Sequence, residues 1–128
     1  MKTQLTLSVS ERDHIQGPAT AAITLVEYGD YECPYCGEAY PIVRQLQEEL
    51  GERLRFVFRN FPLTTAHPHA QNAAEAAETA AGQGRFWEMH DLLFENQEEL
   101  DEEDLISYAS KLGLDVARFK TELARHRR

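Results

Sequence analysis

Cysteine is scarce in this chain, and long apolar runs are missing altogether. Two cysteines in 128 residues are too few for the disulfide framework of a small secreted protein. No stretch approaches the roughly 18 apolar residues of a membrane-spanning helix, so no membrane role is expected. The opening "MKTQLTLSVSERDH" has one lysine and no continuous apolar stretch behind it, which argues against a secretory signal and for a cytoplasmic setting. Lysine and arginine are absent from Glu88 to Asp104, where nine carboxylates fall, and the formal net charge is −9. Such a surface repels nucleic acid and anionic lipid, so no nucleic-acid partner is expected. The acidic run itself reads as solvated helix faces joined by a linker. Proline does not recur after Pro68, and there are no repeats or low-complexity segments.

What is present suits one globular domain over residues 1–128, with 42% hydrophobic and 27% charged residues. The chain divides into a βαβ core over 13–61 and a helical region over 65–127. "TQLTLSV" alternates enough for a short edge strand, and "QGPAT" reads as a turn. "AAITLVEYG" (21–29) places apolar residues on both faces, as in a strand covered on both sides. A helix with Ile42, Leu46 and Leu50 on one face ends at Gly51, and "RLRFVFRNF" follows as a second, parallel strand. Beyond residue 65 the pattern is helical. Pro68 suits the first turn of a helix with a stripe of Ala70, Ala73, Ala74, Ala77 and Ala81. Next comes an apolar face of Phe86, Trp87, Met89, Leu93 and Phe94, and then two helices capped by Asp101 and Asp115.

Both cysteines fall in "DYECPYCGEAYP" (30–41), with two residues between them. Cys33 lies where a strand gives way to a helix, and Pro34 suits the first helical position, where an N–H is not needed. Unpaired backbone N–H groups and the positive end of the helix dipole favour a thiolate at such a place. Cys36 is one turn further in, within reach of the first sulfur. Cys33 is therefore the candidate nucleophile for a disulfide, and Cys36 the thiol that resolves the mixed disulfide. Glu27, six residues before Cys33, either sits beneath Cys36 and relays its proton or lies in a frayed strand and reaches water. Pro41 falls inside the helix and is expected to kink it. A Cys2His2 zinc site from Cys33, Cys36, His67 and His69 is the rival, although "HPH" is unusual ligand spacing. His90 reads as a partly buried histidine.

"LVEYGDYECPYCGEAYP" resembles the active-site segment of thioredoxin-fold proteins, most closely the DsbA-like branch. "FRNFPL", "HPHAQNAAEAA" and "QGRFWEMHDLLF" resemble the helical insertion of that branch, so the likeness covers residues 13 to about 124. It implies an α/β fold with a thioredoxin-like βαβ core and an α-helical insertion. It also implies thiol–disulfide exchange with protein or small-thiol substrates, a redox recycling partner, and the relay role for Glu27. No cofactor is called for, because the disulfide itself carries two electrons. Pro34 and Tyr35 would tune the pair to a potential of roughly −230 to −120 mV, between glutaredoxin and DsbA values. Family members continue with a cis-proline loop and a β-hairpin that pairs with the strand at 21–29. The chain ends at Arg128 without them, reads as C-terminally truncated, and leaves that strand edge open for self-association. On this account a redox-responsive binding module or an inactive fragment is the alternative to an enzyme.

Overall fold

The computed structural model describes residues 8–126. Three strands form a sheet in the order β1–β3–β2: β1 is His14–Gln16, β2 is Ile23–Gly29 and β3 is Leu54–Asn60. β2 runs parallel to β3, and Leu25 faces Phe56 across the pair; β1 is antiparallel to β3. Helix α1 (Pro34–Leu50) makes the crossover, followed by one 3-10 turn at Gly51–Arg53. Four helices follow: α2 (Ala70–Ala81), α3 (Phe86–Glu95), α4 (Glu102–Lys111) and α5 (Val116–His126).

The central strand β3 carries the most buried residues of the sheet, with Leu54, Phe56, Val57 and Phe58 all enclosed. Phe56 and Phe58 join one core with the alanines of α2, the Phe86, Met89, Leu93 and Phe94 face of α3, and Leu105, Tyr108, Phe119 and Leu123. The small side chains of α2 let neighbouring helices approach closely. Gly113, at φ 73°, ends the α4 region in the left-handed conformation that glycine adopts without strain.

Several expectations are corrected. Residues 3–7 of the expected N-terminal strand lie outside the described residues, residues 8–9 are not in a strand, and the first strand among the described residues is His14–Gln16. β2 is not covered on both sides. Ile23 and Tyr28 are 47% and 48% exposed, and Arg59 lies over the Tyr28 ring and donates to its hydroxyl at 2.7 Å. The inward face of α1 is Cys36, Tyr40 and Val43, which pack on the core, whereas Ile42 is 58% exposed. Those three positions are spaced i, i+4 and i+7, and Ile42 falls about 100° away from Val43 around the helix. Pro68 precedes α2, whose N-cap is His69. Pro41 falls inside α1 as expected, on its exposed side.

Candidate functional site

β2 ends at Gly29 because the chain must turn there into α1. Gly29 has no room for a side chain: a Cβ would overlap the Phe58 ring. Cys33 is the N-cap of α1, with φ −72° and ψ 124°, and Pro34 occupies the first helical position. The Cys33 N–H donates to the Asp30 carbonyl at 3.1 Å, and the Cys33 carbonyl accepts the Gly37 N–H at 3.0 Å. Both cysteines are free thiols and partly exposed. Tyr35, between them, is 80% exposed.

Burial pushes the Cys36 thiol up to about 11. A hydrogen bond with the Asp30 backbone pulls the other way, while the neighbouring Cys33, which also hydrogen-bonds to it, and Glu27 add to the rise. Glu27 itself is half-buried within β2, and desolvation raises its carboxyl to about 7. It lines a cavity of about 460 Å³ together with Tyr40, Val43, Arg44, Phe56 and His90. The carboxylate therefore sits on the α1 side of the sheet, near enough to Cys36 to influence its titration.

Four side chains that sequence reading left out hold the segment leading to Cys33. Asp30, 3% exposed, accepts the Leu63 N–H at 2.9 Å and the Glu32 N–H at 2.8 Å, and pairs with His67 Nδ1 at 2.7 Å. The Glu32 carboxylate accepts the His69 N–H at 2.9 Å. The Tyr31 hydroxyl lies 2.8 Å from His90 Nδ1, and both side chains are buried. Burial drives His90 down to about 3, so its ring is neutral and shares one hydrogen bond with the Tyr31 hydroxyl through Nδ1. The Gln97 carboxamide donates to the carbonyls of Tyr31 and Cys33. Aspartate at a strand end, or glutamine in an acidic loop, carries no local signal of these partners.

The zinc set is not assembled. Among the described residues no group of three or more His, Cys, Asp and Glu is placed to hold a metal. His67 faces Asp30, and His69 lies 3.5 Å from Asp101. Among the described residues no helix is long and apolar enough to cross a membrane.

The thioredoxin family model matches residues 9–128. A sodium/proton antiporter of Salinispora arenicola is 56% identical over 117 residues, which cover 91% of this chain and 18% of that protein. An antiporter of Herminiimonas arsenicoxydans is 49% identical over 113 residues, covering 88% of the chain and again 18% of the relative. The chain thus spans under a fifth of the length of these curated relatives. Among solved structures, a thioredoxin-like oxidoreductase from Silicibacter pomeroyi superimposes with a TM-score of 0.78 at 27% identity, covering 91% of this chain and 69% of that one. The thiol-disulfide exchange protein alpha-DsbA2 of Wolbachia pipientis gives 0.77 at 17% identity, covering 88% and 60%.

Proposed function

Because the chain belongs to the thioredoxin family, we propose that it is a DsbA-like member that exchanges disulfides with protein or small-thiol substrates through Cys33 and Cys36. The Cys33 thiolate attacks one sulfur of a substrate disulfide, forming a mixed disulfide and releasing the other sulfur as a thiolate. Glu27 takes the proton from Cys36. The Cys36 thiolate then attacks the Cys33 sulfur and expels the second substrate thiol, which is protonated in turn. The substrate disulfide becomes two thiols and the Cys33–Cys36 pair becomes the disulfide. An external dithiol, the recycling partner, reduces it again, and every step runs backwards for oxidation.

The observation that carries this reading is the pairing of Cys36, raised to about 11, with a neighbouring carboxyl raised to about 7. A thiol so reluctant to ionise needs a base for the resolving step, and a carboxylate near 7 is poised to act as one. Pro34 and Tyr35 tune the pair: proline starts the helix, and tyrosine adds no charge. Reduction of insulin disulfides by the chain, recycled with dithiothreitol, tests the proposal. Turnover lost in Cys33→Ser supports it. A folded parent chain with no turnover overturns it and favours a binding module, for which the exposed Ile23, Tyr28 and Ile42 beside β2 and α1 speak.

The antiporter-named relatives add a setting: we propose that the domain is the redox portion of a longer sodium/proton antiporter. Sodium-driven proton exchange in vesicles holding the full-length protein should then change between the dithiol and disulfide forms. Identical exchange in both forms would remove this extension without touching the disulfide chemistry.

A further inference from the structure

Within the acidic stretch from Glu88 to Asp104, the polar side chain of Gln97 turns back onto the segment that carries Cys33. Gln97, in the loop between α3 and α4, donates through one carboxamide nitrogen to two main-chain carbonyls, Tyr31 at 3.0 Å and Cys33 at 2.9 Å. The Cys33 carbonyl is the N-cap carbonyl of α1 and also accepts the Gly37 N–H at 3.0 Å, so the amide bond between Cys33 and Pro34 is fixed from two directions. Gly37 supplies a second, separate observation. A Cβ at this position would overlap the Gln97 carboxamide, so the glycine after the second cysteine makes the space that the carboxamide fills. The donor and its gap are matched across 60 residues of chain, 97 less 37.

We propose that Gln97 is a positioning residue for disulfide exchange, with Gly37 as its steric partner: it holds the Cys33–Pro34 peptide so that the Cys33 sulfur faces the incoming disulfide. This rests on the exchange reaction proposed above. The carboxamide is neutral and touches backbone only, so it acts on geometry. Small displacements of a nucleophile are costly, since a shift of about 1 Å can slow a reaction by about 100-fold. A loop of the helical region thereby sets the orientation of a cysteine in the βαβ core.

The test compares the parent chain with Q97A, Q97E, G37A and the G37A/Q97A double variant. Circular dichroism establishes that each is folded. Two rates are then read: reduction of insulin disulfides, and alkylation of Cys33 relative to Cys36 by iodoacetamide, resolved by mass spectrometry. Q97A and G37A should each slow both rates by about tenfold. The double variant should be no slower than the worse single one, because both changes break the same contact. Q97E should resemble Q97A at about pH 8 and recover relative to the parent as pH falls towards about 5, where a protonated carboxyl regains a donor. A purely structural glutamine would not give that recovery.

A folded Q97A whose two rates lie within about twofold of the parent overturns the proposal, as do losses that multiply in the double variant. Should Q97A fail to fold, G37A and the pH response of Q97E read the same contact. A parent chain that alkylates in a Gln97-dependent way but never reduces insulin would overturn the exchange reaction and leave the positioning role standing.

Discussion

The Tyr31 hydroxyl meets His90 Nδ1 at 2.8 Å in a ring-lined interior, where Phe58 and Phe94 lie edge-on to the imidazole. An unfolded chain protonates this histidine near 6.5, whereas the folded chain holds it neutral down to about 3. The folded pKa is depressed, so the stabilising contribution is complete above about 6.5 and drains away as pH falls towards about 3. The full span is worth on the order of 5 kcal/mol. His90→Phe should lose this acid sensitivity. At about pH 8 it should also cost about 1–3 kcal/mol, because the buried Tyr31 hydroxyl is left without its hydrogen-bond partner. Urea unfolding of both proteins between about pH 4 and 8 reads both effects. An unchanged acid slope in the variant would show that His90 does not carry it.

Glu27 has the opposite sign. Its folded pKa, raised by desolvation from 4.5 to about 7, favours the protonated form. Its contribution is complete below about 4.5 and is lost as pH rises through about 7. Discounted for partial exposure, the loss is on the order of 2 kcal/mol. Glu27→Gln should therefore stabilise the chain by about that amount at about pH 8 and barely change it at about pH 4. The same variant should slow disulfide exchange by about 10- to 100-fold and erase the rise in rate through about pH 7, since the amide cannot take a proton from Cys36. A variant more stable yet slower is the signature expected of a buried functional carboxyl. One that is less stable at alkaline pH would mean that Glu27 has an unseen partner.

Gly29 is where strand geometry limits the site. A Cβ at this position would overlap the buried Phe58 ring and stand 3.2 Å from Glu27 Oε2. Phe58 has nowhere to go, because Tyr31, Phe86, His90 and Phe94 surround it. Gly29→Ala should lower stability by about 1–3 kcal/mol through overpacking. It should also shift the pH midpoint of exchange set by Glu27. Thermal unfolding with a parallel pH–rate profile checks both, and an unchanged midpoint would separate Gly29 from the site.

These relationships mark how far the sequence could be read. The placement of Glu27 in a strand, of Cys33 at a helix start and of Pro34 in the first helical position is legible because its logic is local and can be read along the chain. The inner face of α1 was misread because Ile42 is the most apolar choice, while the face that packs inward is built from Cys36, Tyr40 and Val43. Coverage of β2 is overestimated because apolar residues on both faces of a strand do not reveal whether a second layer exists. The contacts of Asp30 with His67 and of Gln97 with Cys33 cross 37 and 64 residues. Nothing in the composition of either partner announces the other, and only the folded chain brings them together.

Asp30 gives the sharpest stability test of that long-range scaffold. Its buried carboxylate accepts two backbone N–H groups, from Glu32 and Leu63, and meets His67. It thereby joins the segment before Cys33 to the loop leading into α2. Asp30→Ala leaves both N–H donors without that acceptor, and at about 1–3 kcal/mol per orphaned group the loss should be about 3 kcal/mol. Asp30→Asn keeps one acceptor oxygen but turns an NH2 towards groups that also donate, so it should fall between parent and alanine. The order of denaturation midpoints should be parent, Asn, Ala, with a constant denaturant slope if only native contacts are lost. Hydrogen exchange at the Leu63 amide should accelerate in the same order, because that N–H loses its partner locally as well as globally. The Cys33 N–H bonds to the main-chain carbonyl of Asp30, which neither substitution removes. Loss of stability with Cys33 alkylation unchanged would therefore confine Asp30 to anchoring the loop. Loss of both would show that the loop and the cysteine turn move as one unit.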